Sequence, residues 1–292
     1  MTLAQGLALR YPQNRRRDMA RKPIIVKAQA AACDIVGDVH GQADALFSLM
    51  GRAGWHIQDH DPDGNLPIDA IHPEGRFILF TGDLVNKGPD SIRVLRLLMG
   101  LTRRGGGLSV MGNHDAMLLD ALKYPKRSAK KSVRRTAKAI RARGFLFAAQ
   151  VVSFLENLPA QVRLRMPRAH PMAGDGWLTV VHAACPVSHI DRLTPAALQH
   201  NIFGFTCDEE KRQPAKRRFW GKRYRGQRWI IHGHTPIRGL MRTRRTLCLD
   251  TGAGDDGNLT LLRLDAGEAL VQPVFLADML RPDLERTSRL RA

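Results

Sequence analysis

The chain has 292 residues, 43% of them hydrophobic, and carries 46 Lys plus Arg against 27 Asp plus Glu for a formal charge of +19. That is ample apolar material for a packed core, and the longest uncharged apolar segment, 144–155, falls well short of the roughly 20 residues of a membrane-spanning helix. No membrane partner and no secretory leader are expected, and four dispersed cysteines without a C-x-x-C pair fit reduced thiols in a cytoplasmic protein better than a disulfide framework.

Residues 1–30, with "RRRDMARK" at 15–22, read as a basic, loosely ordered arm, although an Arg-rich, acid-poor start is also the composition of an organelle transit peptide. Strand-like runs at 33–37, 77–81 and 107–111 are each followed by a helical pattern, at 43–52, 89–99 and 116–122, which is the alternation of an α/β fold. Pro89 suits the first turn of its helix, where the missing N–H is not needed. A helical stretch over 128–158 is expected to break at Gly144. Its basic part, 126–143, repeats Arg127, Lys131, Arg134, Lys138 and Arg141 on one side and sets Val133, Ala137 and Ile140 on the other. Strands follow at 161–166, 176–183, 228–232, 246–250, 259–265 and 270–275, the last two joined through "DAGE" as a hairpin. A third basic run, 211–228, carries Phe219, Trp220 and Tyr224, with Trp229 just beyond. Any single run is as readily a solvated face, but three together predict a polyanionic partner, with RNA contact through 126–143 and 211–228. With no repeat or linker, one domain over 31–277 is expected, followed by a tail over 278–292.

The ends of these strands share a chemistry. Asp38 and His40 follow the first, Asp83 the second, Asn113, His114 and Asp115 the third, His182 a later one and His234 another, nearly all beside glycine. One such residue is a cap or a turn former. Five strand ends delivering oxygen and imidazole donors predict a metal site in the crevice at the carboxyl edge of the sheet.

The blocks Gly37-Asp38-Val39-His40-Gly41, Gly82-Asp83-Leu84-Val85-Asn86-Lys87-Gly88, Gly112-Asn113-His114-Asp115, His182 and Gly233-His234 closely resemble, in order and spacing, the calcineurin-like metallophosphoesterases, in their phosphoprotein-phosphatase branch. That resemblance implies two packed mixed β-sheets flanked by helices, a four-layer sandwich. It implies two divalent ions, manganese first and iron, zinc, cobalt or nickel as alternatives, one held by Asp38, His40 and Asp83 and the other by Asp83, Asn113, His182 and His234. It further implies a bridging hydroxide that attacks phosphorus in line, with the ions about 3.5–4 Å apart, and His114 protonating the leaving group. Lys87, Asn113 and His114 would then bind the substrate phosphate.

Two departures narrow the resemblance. Where the protein phosphatases read V-D-R-G, this chain reads Val85-Asn86-Lys87-Gly88, so Asn86 orients His114 without supplying a charge and Lys87 meets phosphate as a point charge. "GDLVNKGPDS" and "LDTG" resemble instead the diadenosine-tetraphosphatase-like phosphatases, and "GHTP" in place of G-H-x-H favours a phosphatase over a phosphodiesterase. The expected function is therefore hydrolysis of a phosphate monoester or phosphoanhydride, a nucleoside polyphosphate or a phosphoprotein. The alternatives are an RNA or DNA phosphodiesterase or end-processing phosphatase, and a nucleic-acid-binding module with a vestigial site. Asp250-Thr251-Gly252 imitates an aspartic-protease triplet but occurs once, and Gly252-x-Gly254-x-x-Gly257 leads into a strand rather than the helix a dinucleotide fingerprint requires.

Overall fold

Alternate residues of the central strands face different neighbours, and that sorting builds the layers. In the computed structural model, which describes residues 24–26, 32–127, 129–205, 220–265, 269–275 and 288–289, β2 (Ala32–Val36) sends Cys33 and Ile35 into one apolar cluster and Val36 into another. Strand β5 (Phe77–Phe80) divides Leu79 from Ile78 and Phe80 in the same way. Among the described residues the sheet containing them is six-stranded, in the order β14 (Ser288–Arg289), β13 (Ala269–Phe275), β12 (Asn258–Asp265), β2, β5, β6 (Gly107–Ser109). The second, also six-stranded, runs β1 (Ile24–Val26), β7 (Val162–Arg165), β8 (Trp177–Val180), β9 (Trp229–His232), β11 (Thr246–Cys248), β10 (Met241–Thr243).

Between the sheets lies a cluster in which Ile35, Leu79 and Leu262 of the first meet Val162, Val180, Ile231 and Leu247 of the second. Outside the first sheet, α1 (Ala43–Arg52), α2 (Ser91–Arg104), α3 (Asn113–Lys123), α4 (Lys131–Ala142) and α5 (Phe145–Glu156) bury their apolar stripes against Val36, Ile78 and Phe80. Outside the second, Trp220 and Tyr224 cover Val181 and Ile230. The result is the layered α/β arrangement expected from the sequence, and both sheets are mixed.

The helix break falls at Gly144, whose φ of 96° is left-handed and ends α4 before α5 begins. On α4 the buried residues are the predicted Val133, Ala137 and Ile140, joined by Thr136. Pro89 sits outside its helix: Asp90 is the cap, its carboxylate accepting from Arg93 N at 3.0 Å, and α2 starts at Ser91. Strands β12 and β13 pair antiparallel as expected, while turn residues 266–268 lie outside the described residues. Two strands fall in segments read as arm and tail, β1 pairing with β7 and β14 with β13. Backbone ladders hold them, and these need no side-chain pattern visible in so short a run. The rest of the arm, basic run 15–22 included, and most of the tail lie outside the described residues, as does 211–219 of the third basic run. The small hairpin β3 (His56–Gln58) with β4 (Asp69–Ile71), strand β10 and helix α6 (Pro195–Phe203) were not foreseen.

Within β2, short of its carboxyl end, Asp34 is wholly buried. Its Oδ1 accepts from Arg76 Nη2 and Arg263 Nε, both at 2.9 Å, and its Oδ2 from Trp55 Nε1 at 2.9 Å. Burial alone would push this carboxyl up, but the Arg263 hydrogen bond, the Arg76 charge and the Trp55 bond outweigh it and hold it below the ordinary value of 3.8. A depressed folded value means the stabilisation is present above the unfolded pKa and is lost as pH falls through the folded one. Asp34→Asn, which leaves two arginines facing a neutral amide, is expected to lower unfolding free energy by about 3–5 kcal/mol in urea titrations at neutral pH, with the gap closing below about pH 4.

Candidate metal centre

Six strands, β2, β5 and β6 from one sheet and β8, β9 and β11 from the other, are parallel to their neighbours in each set, so their carboxyl ends emerge along one edge. Every sequence-predicted donor leaves from that edge, and the structure brings Asp38, His40, Asp83, Asn113, His114, His182 and His234 together there. The turns are tight enough that His40, Asp83, Asn86 and His234 adopt left-handed φ values of 51°, 50°, 96° and 70°. Such conformations cost an L-residue about 1–2 kcal/mol each, and they gather where a side chain must be aimed. A Cβ at Gly233 would overlap the Asp38 carboxylate, and one at Gly112 would overlap Asp83, so glycine is required at both positions for these carboxylates to fit.

The carboxylates are anchored by protein groups. Asp38 accepts from Thr81 Oγ1 and from His234 N, each at 2.8 Å, which ties the two sheets together. Asp83 Oδ1 accepts from His114 N at 2.8 Å and lies 3.4 Å from His182 Nε2, while its Oδ2 lies 3.6 Å from His40 Nε2. Asp115 is the buried strut behind them, accepting from Leu84 N and Gly112 N at 3.0 Å. Crowding of acids in a dry site raises their pKa values. Burial, then Asp250 and Asp83, pushes Asp38 well up, and burial carries Asp83 to about 7.

Burial favours the neutral form of three of the imidazoles. Burial lowers His40 to about 2 and His182 to about 3, and burial with the charges of Lys130 and Lys87 lowers His114 to about 3. His182 Nδ1 lies 2.9 Å from the Thr81 carbonyl oxygen, which can only accept, so that nitrogen carries the proton and Nε2 a lone pair. Yet Nε2 faces Asn113 Oδ1 at 2.9 Å, another lone-pair atom, and Asp83 Oδ1 at 3.4 Å. His234 Nδ1 joins them at 3.1 Å from His182 Nε2 and 2.9 Å from Asn113 Oδ1. Acceptors aimed at one another with buried, mutually repelling carboxylates behind them are the donor set of a cation, and the residues fit divalent metal ions. Two overlapping groups share Asp83: His40, Asp83 and His114, and Asp38, Asp83 and His182.

Asn86 Nδ2 donates to the His114 carbonyl at 3.0 Å and lies 3.2 Å from His114 Nδ1. The carbonyl bond fixes that atom as the amide nitrogen, so His114 Nδ1 is an acceptor and the ring proton sits on Nε2. Lys87, expected on a phosphate, is instead paired with both Asp255 oxygens at 2.9 and 3.1 Å. His232 points away from the edge, its ring 5.0 Å from that of Trp220. Four residues at the centre escaped the sequence reading. Asp250 is buried beside Asp38 and raised by burial to about 7; its signal was there, the LDTG block and a strand-end acid, but no role at the centre was assigned to it. Asp255 had no signal, being a surface acid in a turn. Lys130 and Arg135 were submerged in the basic run, although Arg135 Nη2 donates to the carbonyls of Asn86, Lys87 and Gly88 at 3.0, 2.9 and 3.1 Å.

Comparison with known proteins agrees with this geometry. Residues 34–262 match the model of the calcineurin-like phosphoesterases. The chain is 28% identical over 250 residues to the bis(5'-nucleosyl)-tetraphosphatase PrpE [asymmetrical] of Bacillus subtilis, covering 84% of this chain and 96% of that protein. It is 30% identical over 231 residues to the protein of the same name from Halalkalibacterium halodurans, covering 79% and 89%. In fold it is similar to a crystal structure of a candidate diadenosine tetraphosphatase, with a TM-score of 0.59 at 24% identity over 87% of this chain and 99% of that one. The chain therefore belongs to the calcineurin-like phosphoesterase family and is a hydrolase of phosphate esters or anhydrides whose family chemistry uses divalent metal ions.

Proposed function

We propose that the protein hydrolyses a nucleoside polyphosphate, with a dinucleoside tetraphosphate as its leading substrate. The observation that carries the metal part of this reading is the placement of Asp83, one oxygen toward His40 and the other toward His182. Asp38, His40 and Asp83 would hold one ion, and Asp83, Asn113, His182 and His234 the other, with manganese suited to the mixed nitrogen and oxygen donors. When bound, such ions supply Lewis acidity and an activated water. Asn86 keeps the His114 proton on Nε2, where it is available to the oxygen leaving phosphorus. Lys87 exchanges Asp255 for a substrate phosphate, and Asn113 and His114 complete the phosphate grip. Glycines and left-handed turns hold these groups in place before substrate arrives, so little reorganisation is required.

The substrate part rests on the tetraphosphatase relatives, which align over nearly their whole length, and on Asn86-Lys87 standing where the protein phosphatases carry Asp-Arg. The catalytic unit is proposed as residues 31–277 with β1 as an added edge strand. Among the described residues no helix is long and apolar enough to cross a membrane, and Cys33, Cys185 and Cys248 are free thiols, which supports a cytoplasmic setting. The test is a manganese-loaded panel of diadenosine tetraphosphate, capped RNA, a phosphoserine peptide and a cyclic nucleotide. Diadenosine tetraphosphate should lead in kcat/KM by about tenfold or more, some 1.4 kcal/mol of transition-state preference. A phosphopeptide or cyclic phosphate in first place would overturn the substrate assignment while leaving the centre intact.

A further inference from the structure

The sheet that carries His182 and His234 has a cationic feature at its other end. A cleft of about 440 Å³ opens between residues 224–229 and the turn joining β10 to β11, lined by Tyr224, Arg225, Trp229, Arg242, Arg244 and Arg245 among others. Its position follows from register: Ile230 N donates to the Arg245 carbonyl at 2.9 Å, so the turn abuts the start of β9, whereas His234 follows its end. From Trp229 to Gly233 the chain advances roughly 13 Å along the strand, at about 3.3 Å per residue.

Among the described residues, three of the cleft arginines lack the counter-charge that a neighbour has. Arg228 is clasped by Asp175 and Asp191 at 2.9 and 2.7 Å. Arg225 donates to the carbonyls of Lys222 and Tyr224 at 2.9 and 3.2 Å, Arg245 donates to Gln227 Oε1, and Arg242 lies 5.1 Å over the Trp229 ring. Among the described residues, Arg225, Arg244 and Arg245 have no carboxylate partner. The turn itself is unusual, because a two-residue hairpin connection normally takes Asn or Gly where φ is positive, yet Arg244 occupies it at φ 49°. That geometry costs an L-residue about 1–2 kcal/mol and sets an exposed guanidinium at the cleft mouth.

Guanidinium groups match phosphate oxygens in pairs. The two aromatic rings are 4% and 6% exposed, so they form a floor and offer little face for stacking bases. The exposed cations also continue past the cleft to Lys222 and Arg223, which suits a chain of phosphates better than a single one. We propose that this cleft binds the phosphodiester backbone of single-stranded nucleic acid, without reading bases, at a site separate from the metal centre.

The experiment is fluorescence anisotropy of a labelled oligouridylate with the full chain across a salt series. Arg242→Gln with Arg244→Gln should weaken binding about tenfold and flatten the log–log salt slope by about 1.4, two phosphate contacts at about 0.7 each. Arg242→Lys with Arg244→Lys should keep the slope, and hydrolysis of p-nitrophenyl phosphate should be unchanged in both. Arg134→Gln with Lys138→Gln removes the same charge from α4 and should leave affinity within about twofold. Equal losses in the cleft and α4 variants would mean diffuse attraction and overturn the site. So would unchanged affinity in the cleft variant, tight binding of inorganic polyphosphate without the oligonucleotide, or a fall in phosphatase activity that tracks the cleft substitutions.

Discussion

Asp83→Asn is expected to cost about 10³-fold or more in manganese-dependent turnover of p-nitrophenyl phosphate, because a divalent centre contributes several kcal/mol to phosphoryl transfer. The asparagine side chain keeps an oxygen able to accept the His114 N–H now held at 2.8 Å, so the fold of the α3 turn is preserved. What disappears is the charge that both proposed ion positions share. Elemental analysis should find metal content reduced in step with activity, and the rise in melting temperature that added manganese gives the wild type should shrink. An Asp83→Asn protein that stays active and metal-loaded would remove the basis for the centre described above.

His114→Ala is expected to separate substrates by leaving group. General acid catalysis is worth about 10²–10⁴-fold, so kcat on an alkyl phosphate, whose alkoxide needs a proton to depart, should fall by that order. Turnover of p-nitrophenyl phosphate should fall much less, because its phenolate leaves unaided at neutral pH. The structural basis is the Asn86 amide, which holds the His114 proton on Nε2, while burial and the charges of Lys130 and Lys87 favour the neutral ring. To act as an acid the ring takes a second proton on Nδ1 when an anionic substrate arrives, with the Asn86 amide turning its Oδ1, which has no partner among the described residues, to accept it. Equal losses on both substrates would mean that the His114 ring serves binding alone and donates no proton, since alanine keeps the backbone N–H that Asp83 accepts.

The centre was readable because its parts are local. Gly37-Asp38, Gly82-Asp83, Gly112-Asn113 and Gly233-His234 each announce a sharp turn and a ligand-type side chain within two residues, and α1 was bounded correctly because its apolar periodicity fills the whole element. The hairpin of β3 and β4 went unseen because three-residue strands carry no period. Helix α6 did have a Thr194 cap and Pro195 at its first position, a start signal that the sequence reading passed over. Tertiary pairings were beyond reach. Lys87 and Asp255 are 168 positions apart, and Arg135 is one of many arginines in a basic run until folding places its guanidinium against three successive carbonyls. In such a run composition reports charge but not address.

The hydrogen bonds at Asp38 carry one last implication. Thr81 belongs to one sheet's edge and His234 to the other's, and both clasp the same carboxylate, so protein hydrogen bonds suture the seam of the sandwich beside the candidate metal centre. A chelator-stripped sample should consequently keep its pocket shape, and reloading should proceed as fast as ions diffuse in, with no slow refolding phase.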